Sequence, residues 1–275
     1  MMQATQISQR RACALVGLSR DSVRNPPTKP MRDQPLRQRI VQIAHERRRF
    51  GYRRIADMLR ADGEVVNDKR VYRLYRAEDL AVRRRRGKKR LKLERVPLHM
   101  CRAINEVWSL DFVSDSLASG RRIKCLAITD DYSHECVDLA VDFGMGGEYV
   151  TRVLDRAAMF RGYPTVVRTD QGPEFTCRAF MAWAQARGIR HILNQAGKPT
   201  QNAYIESFNG KLRDECLHEH WFETLRQARE VLAAWRKDFN EVRPHSSCQR
   251  MPPARFAALH RQHAGDAALS PITKE

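Results

Sequence analysis

The sequence predicts an α/β fold, a mixed sheet flanked by helices, behind an all-α, helix-turn-helix-like front region. Three observations predict it. Residues 1–100 hold 27 Lys and Arg against 10 Asp and Glu, whereas residues 101–275 hold 23 against 22, so nearly all of the formal charge of +18 lies at one end. Apolar residues in that front part recur at helical spacing, and β-rich runs begin only after Pro97. No apolar run approaches the roughly 18 residues a membrane span needs, and the N-terminus lacks the charged-then-apolar layout of a secretory signal. A cytoplasmic protein with no membrane partner is expected.

The front elements come first. Residues 1–30 form a short leader in which 7–24 can make two small helices around Gly17, either a helix-turn-helix fragment or an unstructured lead-in. Asn25-Pro26-Pro27 then breaks regular structure. From Pro35, Leu36, Ile40, Ile43 and Ala44 keep a helical period. A second helix carries Ile55, Met58 and Leu59 before Gly63, and a third is capped by Asn67 with Val71, Leu74 and Tyr75 inside. On the third, Arg70, Arg73 and Arg76 face outward, and residues 31–82 read as a helical DNA-binding domain. Residues 83–100 form a basic linker in which Arg83, Arg84, Arg85, Arg86, Lys88, Lys89 and Arg90 repel one another and can lie along phosphates. Phosphate contacts position a protein without reading sequence.

The back half, residues 101–260, reads βββαβαβα. Strands are expected at 107–113, 122–129 and 135–142, then a helix at 147–161, a strand at 165–169 and a helix at 173–187 ended by Gly188. A strand at 189–193 and a long helix from about Thr200 follow, and 261–275 is a tail. Seven scattered cysteines, an odd number without paired short spacing, argue against a disulfide framework and a zinc site.

Three acids stand out. Asp111 interrupts a run that otherwise wants burial, and a buried carboxylate must be paired, hydrogen-bonded or bound to metal. Asp170 follows a strand end, where α/β sheets gather ligands. Glu206 shares a polar stripe with Asn202, Asn209 and Arg213 on the last helix, beside an apolar stripe of Ile205, Phe208 and Leu212. Converging carboxylates suit hard divalent cations, Mg²⁺ or Mn²⁺, and a pair of ions about 3.5–4 Å apart suits in-line phosphoryl displacement. Taken singly, Asp111 could be a partnered core residue, Asp170 a turn or helix cap, and Glu206 an exposed helix residue. Asp115, Asp130 and Asp131 also lie near strand ends, although Asp130 and Asp131 can instead orient a turn with Ser133.

The runs WSLDFVSD at 108–115, TDQGPEF at 169–175 and PTQNAYIESFNGKLRDECL at 199–217, with 35 residues between Asp170 and Glu206, resemble the three acidic motifs of the DDE transposases and retroviral integrases. The likeness is greatest to insertion-sequence transposases whose second reading frame encodes the catalytic subunit. It implies an RNase H-like core with Asp111, Asp170 and Glu206 as catalytic, metal-binding residues, and Lys211 and Arg213 turned to the substrate backbone. It also implies metal-dependent strand cleavage followed by strand transfer at element ends. The implied partners are terminal-repeat and target DNA, further copies of the chain on DNA, and a first-frame helix-turn-helix protein or fusion; the implied setting is the bacterial nucleoid. Alternatives are a degenerate transposase acting only as a DNA-binding regulator and an RNase H-like nuclease that hydrolyses without joining. FNEVRPHSS at 239–247 resembles a further family motif, for which a structural role of Arg243 and His245 is one reading. Gln171 departs from the Asn common after the second acid, and Cys248-Gln249-Arg250 departs from a Leu-Gly-Tyr-like run.

Overall fold

A computed structural model describes residues 7–24, 29–82, 101–194 and 203–269. The chain divides into two compact units, Met1–Leu59 with Gly63–Arg83, and Arg60–Asp62 with Arg84–Glu275. The basic run 83–100 lies outside the described residues, so Arg83, Arg84, Arg85, Arg86, Lys88, Lys89 and Arg90 keep only their sequence reading.

In the first unit, α1 (Gln9–Leu15) and α2 (Arg20–Arg24) precede α3 (Lys29–Glu46), α4 (Tyr52–Ala61) and α5 (Asp68–Ala77). The helix expected from Pro35 begins earlier, at Lys29, with Pro35 inside it and one backbone donor forgone. Gly63, at φ 91°, makes the turn between α4 and α5 without the crowding a Cβ brings to that conformation. Asn67 then accepts a bond from the Lys69 amide at 2.8 Å, satisfying one of the open donors at the start of α5. Ile40, Ile43, Ile55, Leu59, Val71 and Leu74 form the core of this unit, drawn from the apolar faces of the three helices.

The second unit is built on a five-stranded mixed sheet of order β3-β2-β1-β4-β5. Its strands are β1 (Val107–Ser116), β2 (Arg122–Asp130), β3 (Cys136–Asp142), β4 (Val166–Thr169) and β5 (Arg190–Leu193). The first three form an antiparallel meander, while β4 lies parallel to β1 and β5 parallel to β4. Crossovers of that kind need helices, and α6 (Gly147–Arg161), α7 (Pro173–Thr176) and α8 (Arg178–Ala186) supply them. Cys177, extended at φ −71° and ψ 158°, splits the single helix expected at 173–187 into α7 and α8. After β5 come α9 (Ala203–Glu215), α10 (Leu225–Glu241) and α11 (Pro253–Leu269).

Both faces of the sheet are covered, which is why its strands read as near-continuous apolar runs. Trp108, Leu110, Leu126 and Val167 pack with α6, α7 and α8 on one face. Val113, Cys125 and Ala127 pack with Ile205, Phe208 and Leu212 of α9 and with Phe239 of α10 on the other. The open edge of β3 is covered by α10: Arg236 donates to the carbonyls of Cys136 and Val137, and Asn240 bonds both backbone groups of Cys136. An exposed edge is a template for unwanted pairing, and these side chains occupy it.

The competing acids are absorbed by structure. Asp130 organises the β2–β3 turn, accepting from the amides of Tyr132 and Ser133 at 3.1 and 2.7 Å and from the Asn105 amide at 2.7 Å. Asp131 is buried against Ser109 and Arg168 at 3.0 and 2.8 Å; burial pushes its carboxyl up to about 6 and those two partners oppose the rise. All seven cysteines are free, five of them buried, and burial pushes the thiols of Cys125 and Cys216 up to about 12. No described helix is long and apolar enough to cross a membrane.

The departure at Gln249 has a physical cost. Gln249 adopts φ 53° and ψ 33°, the left-handed conformation in which a Cβ crowds the following carbonyl. Strain relief exceeds the chain entropy that glycine adds, so Gln249→Gly should stabilise the fold by about 0.5–1 kcal/mol. Urea unfolding checks this, and a lower midpoint for the variant would refute it.

Candidate catalytic site

Asp111 sits in the middle of β1 with its side chain toward α9, because Val113 of the same parity packs there and Leu110 on the opposite side. Its Oδ1 accepts from the Phe112 amide and its Oδ2 from Asn209 Nδ2, both at 2.8 Å. Burial raises its pKa above the ordinary carboxylate value. The charges of Asp170 and then Glu206 add to that rise, while the two hydrogen bonds oppose it.

Asp170 follows β4 directly. The parallel ladder ends with Ser109 paired to Arg168, and two residues further on are Asp111, still within β1, and Asp170, one residue past the end of β4, so both acids lie at the same end of the sheet. Asp170 Oδ1 accepts from the Gly172 amide at 2.9 Å. A Cβ on Gly172 would lie 3.0 Å from Asp170 Oδ1 and 3.1 Å from Glu174 Oε2, so only glycine allows the turn to close over these oxygens. Gln171, the departure beside this acid, is held by a 3.4 Å bond from its Nε2 to the Asn194 carbonyl at the end of β5.

Gly172→Ala should therefore displace the Asp170 carboxylate while sparing the fold, since the group that must move is a side-chain end. The carboxylate must give by a few tenths of an ångström, a fraction of the shift of about 1 Å that can cost about a hundredfold, so a loss of up to about tenfold in rate is expected. A melting curve beside a strand-cleavage assay tests it, and unchanged cleavage would disprove the positional argument.

Glu206 is exposed on the first turn of α9, and Asn209, one turn on, is buried and reaches Asp111. The polar stripe thus divides: Asn209 faces β1, Glu206 and Arg213 are exposed, and Asn202 lies outside the described residues. Among the described residues, no three His, Cys, Asp or Glu side chains are gathered closely enough to hold an ion. The donor set nevertheless fits a hard divalent cation in chemistry, being all oxygen and sharing one electrostatic field. Glu206, the third of these acids, is an exposed side chain on a terminal helical turn.

The expected DNA-contacting residues are placed unevenly. Arg70 donates to Asp33 Oδ1 at 2.8 Å and Arg73 to Asp33 Oδ2, so both guanidiniums turn back onto α3, and the Arg70 bond leads in holding the Asp33 carboxyl below its ordinary range. Arg73 remains exposed, with 56% of its side chain open, and Arg70 keeps 34%, so each can pair with Asp33 and still face solvent. Arg76 is exposed. Lys211 is half-buried and its charge lowers the pKa of His134, after burial, which leads.

Two pairings add to the sequence reading, the first giving the structural role considered for Arg243 and His245 a partner it lacked, Glu215. Arg243 is buried and grips Glu215 with two 2.6 Å bonds, with His245 Nε2 3.2 Å from its third nitrogen, which ties the end of α9 to the segment after α10. Lys124 on β2 pairs with Glu174 on α7 at 2.6 Å above the ring of Phe112, which itself stacks on Phe175. The motifs held Arg243, Glu215 and Glu174 but no sign of who meets whom; nothing pointed to Lys124.

Comparison with known proteins agrees with this architecture. Two models described as integrase core domain match residues 102–199 and 187–253, and one described as HTH-like domain matches 31–88. The chain is 57% identical over 269 residues to the insertion element IS476 uncharacterized 39.2 kDa protein of Xanthomonas euvesicatoria, covering 98% of this chain and 78% of the relative. It is also 57% identical over 262 residues to the insertion element IS407 uncharacterized 31.7 kDa protein of Burkholderia multivorans, with 95% of each covered. The putative transposase InsK for insertion sequence element IS150 of Escherichia coli is 24% identical, with 83% of this chain and 85% of that protein covered. Among solved structures, the simian T-cell lymphotropic virus intasome in complex with PP2A regulatory subunit B56 gamma gives a TM-score of 0.54 at 14% identity, covering 86% of this chain and 76% of that one, a likeness of fold. With its sheet order, helix-turn-helix front region and acid-bearing strands matched along nearly its whole length, the chain belongs to the insertion-sequence-three family of DDE transposases, catalytic subunits within the retroviral integrase superfamily.

Proposed function

We propose that this transposase cuts and joins DNA with Asp111, Asp170 and Glu206 as its catalytic carboxylates, holding Mg²⁺ or Mn²⁺, in the number of two ions. The observation that carries the reading is Asp111 within β1 and Asp170 just past the end of the parallel neighbour β4, with Asp111 sensing the charges of both Asp170 and Glu206. Bound there, divalent cations supply a stabilised attacking oxygen and a stabilised leaving oxygen for in-line displacement at phosphorus. The chain's own residues do the positioning. Asn209 fixes the orientation of the Asp111 carboxylate, the Gly172 amide fixes Asp170, and the apolar stripe of α9 sets Glu206 beside the sheet. Such fixed orientation is where a phosphoryl-transfer enzyme gains most of its rate.

The first unit and the linker 83–100 grip element ends in this reading, and target DNA is the second substrate. Arg76 and the exposed Tyr72, whose ring lies 4.8 Å from that of Tyr52, present themselves on α5. Lys211 and Arg213 serve the backbone near the acids. Copies of the chain assemble on DNA, together with a first-frame helix-turn-helix protein or as a fusion with it, in the cytoplasm on the nucleoid.

The test uses purified protein with linear DNA carrying the native element ends, in Mg²⁺ or in EDTA, and a second substrate with a pre-cleaved 3′-hydroxyl end. Strand cleavage in Mg²⁺ alone and a joined product from the pre-cleaved end are expected. Cleavage without joining would leave a nuclease, binding without either a regulator, and equal nicking in EDTA would remove the metal mechanism.

A further inference from the structure

We infer that the strand β2 and the hairpin before it carry a second, preformed DNA-backbone contact beside the catalytic carboxylates, made by Arg121, Arg122 and Lys124. The inference rests on the reading of Asp111, Asp170 and Glu206 given above. Neither the motifs nor the basic front half includes these three residues.

Topology places them at the working end of the sheet. β1 runs five residues beyond Asp111 to Ser116, turns through Gly120 at φ 81°, and returns as β2 with Lys124 opposite Ser114. At about 3.3 Å per residue, Lys124 lies roughly 10 Å along the strand from the level of Asp111. That is the length of about three nucleotides of duplex at 3.4 Å per step. The end of β4, and Asp170 after it, lies at the same end of the sheet, although Lys124, of the parity of Leu110 and Phe112, points to the face opposite Asp111 and reaches the Asp170 turn through Glu174.

Two of these cations, Arg121 and Lys124, are held in place. The Arg121 guanidinium carbon lies 3.4 Å from the centre of the Phe143 ring, and a ring contact of this kind consumes none of its five N–H donors. Arg122 is exposed. Lys124 Nζ gives one of its three donors to Glu174 at 2.6 Å and rests 5.1 Å over Phe112, with its side chain 39% exposed. Asp142, the acid across the ladder from Lys124, is engaged by Arg229 at 2.7 Å. These three cations, in a half of the chain that is otherwise near neutral, straddle one end of the sheet, Arg121 against Phe143 on the α9–α10 face and Lys124 against Glu174 on the other, and form a positive rim around that end. Cations already fixed by aromatic rings lose little side-chain freedom when a phosphate arrives.

Phosphates of the element end and phosphates of target DNA share this chemistry, and the experiment separates them. The full chain and its Arg121→Gln, Arg122→Gln, Lys124→Gln and triple variants are titrated in EDTA with an element-end duplex and with an unrelated duplex across a salt series. The same proteins are then assayed in Mg²⁺ for cleavage of native ends and for joining of pre-cleaved ends. The slope of log K against log salt should fall by about 0.9 for each phosphate that a variant no longer neutralises. Thermal melting of the Arg122→Gln protein should be unchanged. Glu174→Gln, which releases Lys124, should tighten binding. A raised KM confined to joining assigns the rim to target DNA, and one seen in cleavage assigns it to the element end. An unaltered slope in the triple variant overturns the rim, whether or not the wild type cleaves. Absence of Mg²⁺-dependent cleavage by the wild type would instead sink the catalytic reading, while the salt slope still decides this one.

Discussion

Asp111→Asn removes Mg²⁺-dependent strand cleavage while leaving DNA binding in place, and Asp170→Asn and Glu206→Gln do the same. The expected loss exceeds about a hundredfold for each, because changing even the outer partners of a metal's ligands costs 10–100-fold. Shape is kept in each replacement. Asn at 111 keeps an oxygen to accept from the Phe112 amide, and its Nδ2 can donate to Asn209 Oδ1 once that amide turns over, so the polypeptide around β1 needs no repacking. A stability gain accompanies the loss at position 111. Burial, Asp170 and Glu206 raise the folded-state pKa of Asp111 above its unfolded value near 3.9. The wild type therefore loses stability as pH rises from that unfolded value through the folded one, and the Asn variant does not. The variant should melt above the wild type at pH 7, and the difference should vanish below about pH 4. Product gels beside melting curves at both pH values check the two halves. Wild-type cleavage rates in any one variant would remove that residue from the reaction.

What a sequence can disclose of this fold depends on whether the cause is local. Gly162 stops α6, and apolar runs mark β1, β2 and β3, so these elements are legible to within a few residues. The break at Cys177 depends on one residue's backbone angles and leaves no compositional sign. Ala228, Leu232 and Phe239 stand on the buried face of α10 at helical spacing, yet a reading led by acidic motifs ends with the helix before it. The aspartates are legible because a carboxylate in a buried strand demands explanation. Their partners are not. Arg70 finds Asp33 across 37 residues, Arg243 finds Glu215 across 28, and Lys124 finds Glu174 across 50. Such pairs are set by tertiary proximity, which no local period encodes, and for that reason the sequence carries no sign that Asp33 is the partner of Arg70 and Arg73.

Arg243→Met should cost about 3–5 kcal/mol, the usual penalty for leaving one partner of a buried pair without the other. Arg243 is 2% exposed, its two bonds to Glu215 are 2.6 Å each, and the Glu215 side chain is 12% exposed. Water can replace little of what is lost. The guanidinium also lies 5.5 Å over the Phe239 ring, and His245 packs edge-on against the same ring at 4.5 Å. Removing Arg243 therefore loosens α10 as well as α9. With about 2–4 °C lost per kcal/mol in a unit of this size, the melting temperature should fall by roughly 6–20 °C. Glu215→Met alone strands the opposite charge and should cost a similar amount. The double variant separates charge from shape: two apolar residues in place of a buried ion pair are often neutral or stabilising, so it should recover most of the loss. Its recovery of cleavage should lag its recovery of stability, because the bidentate grip also fixes the end of the helix that carries Glu206 and Asn209. Single variants melting within about 1 kcal/mol of wild type, the range of an exposed pair, would show that the grip is not what holds α9 in place.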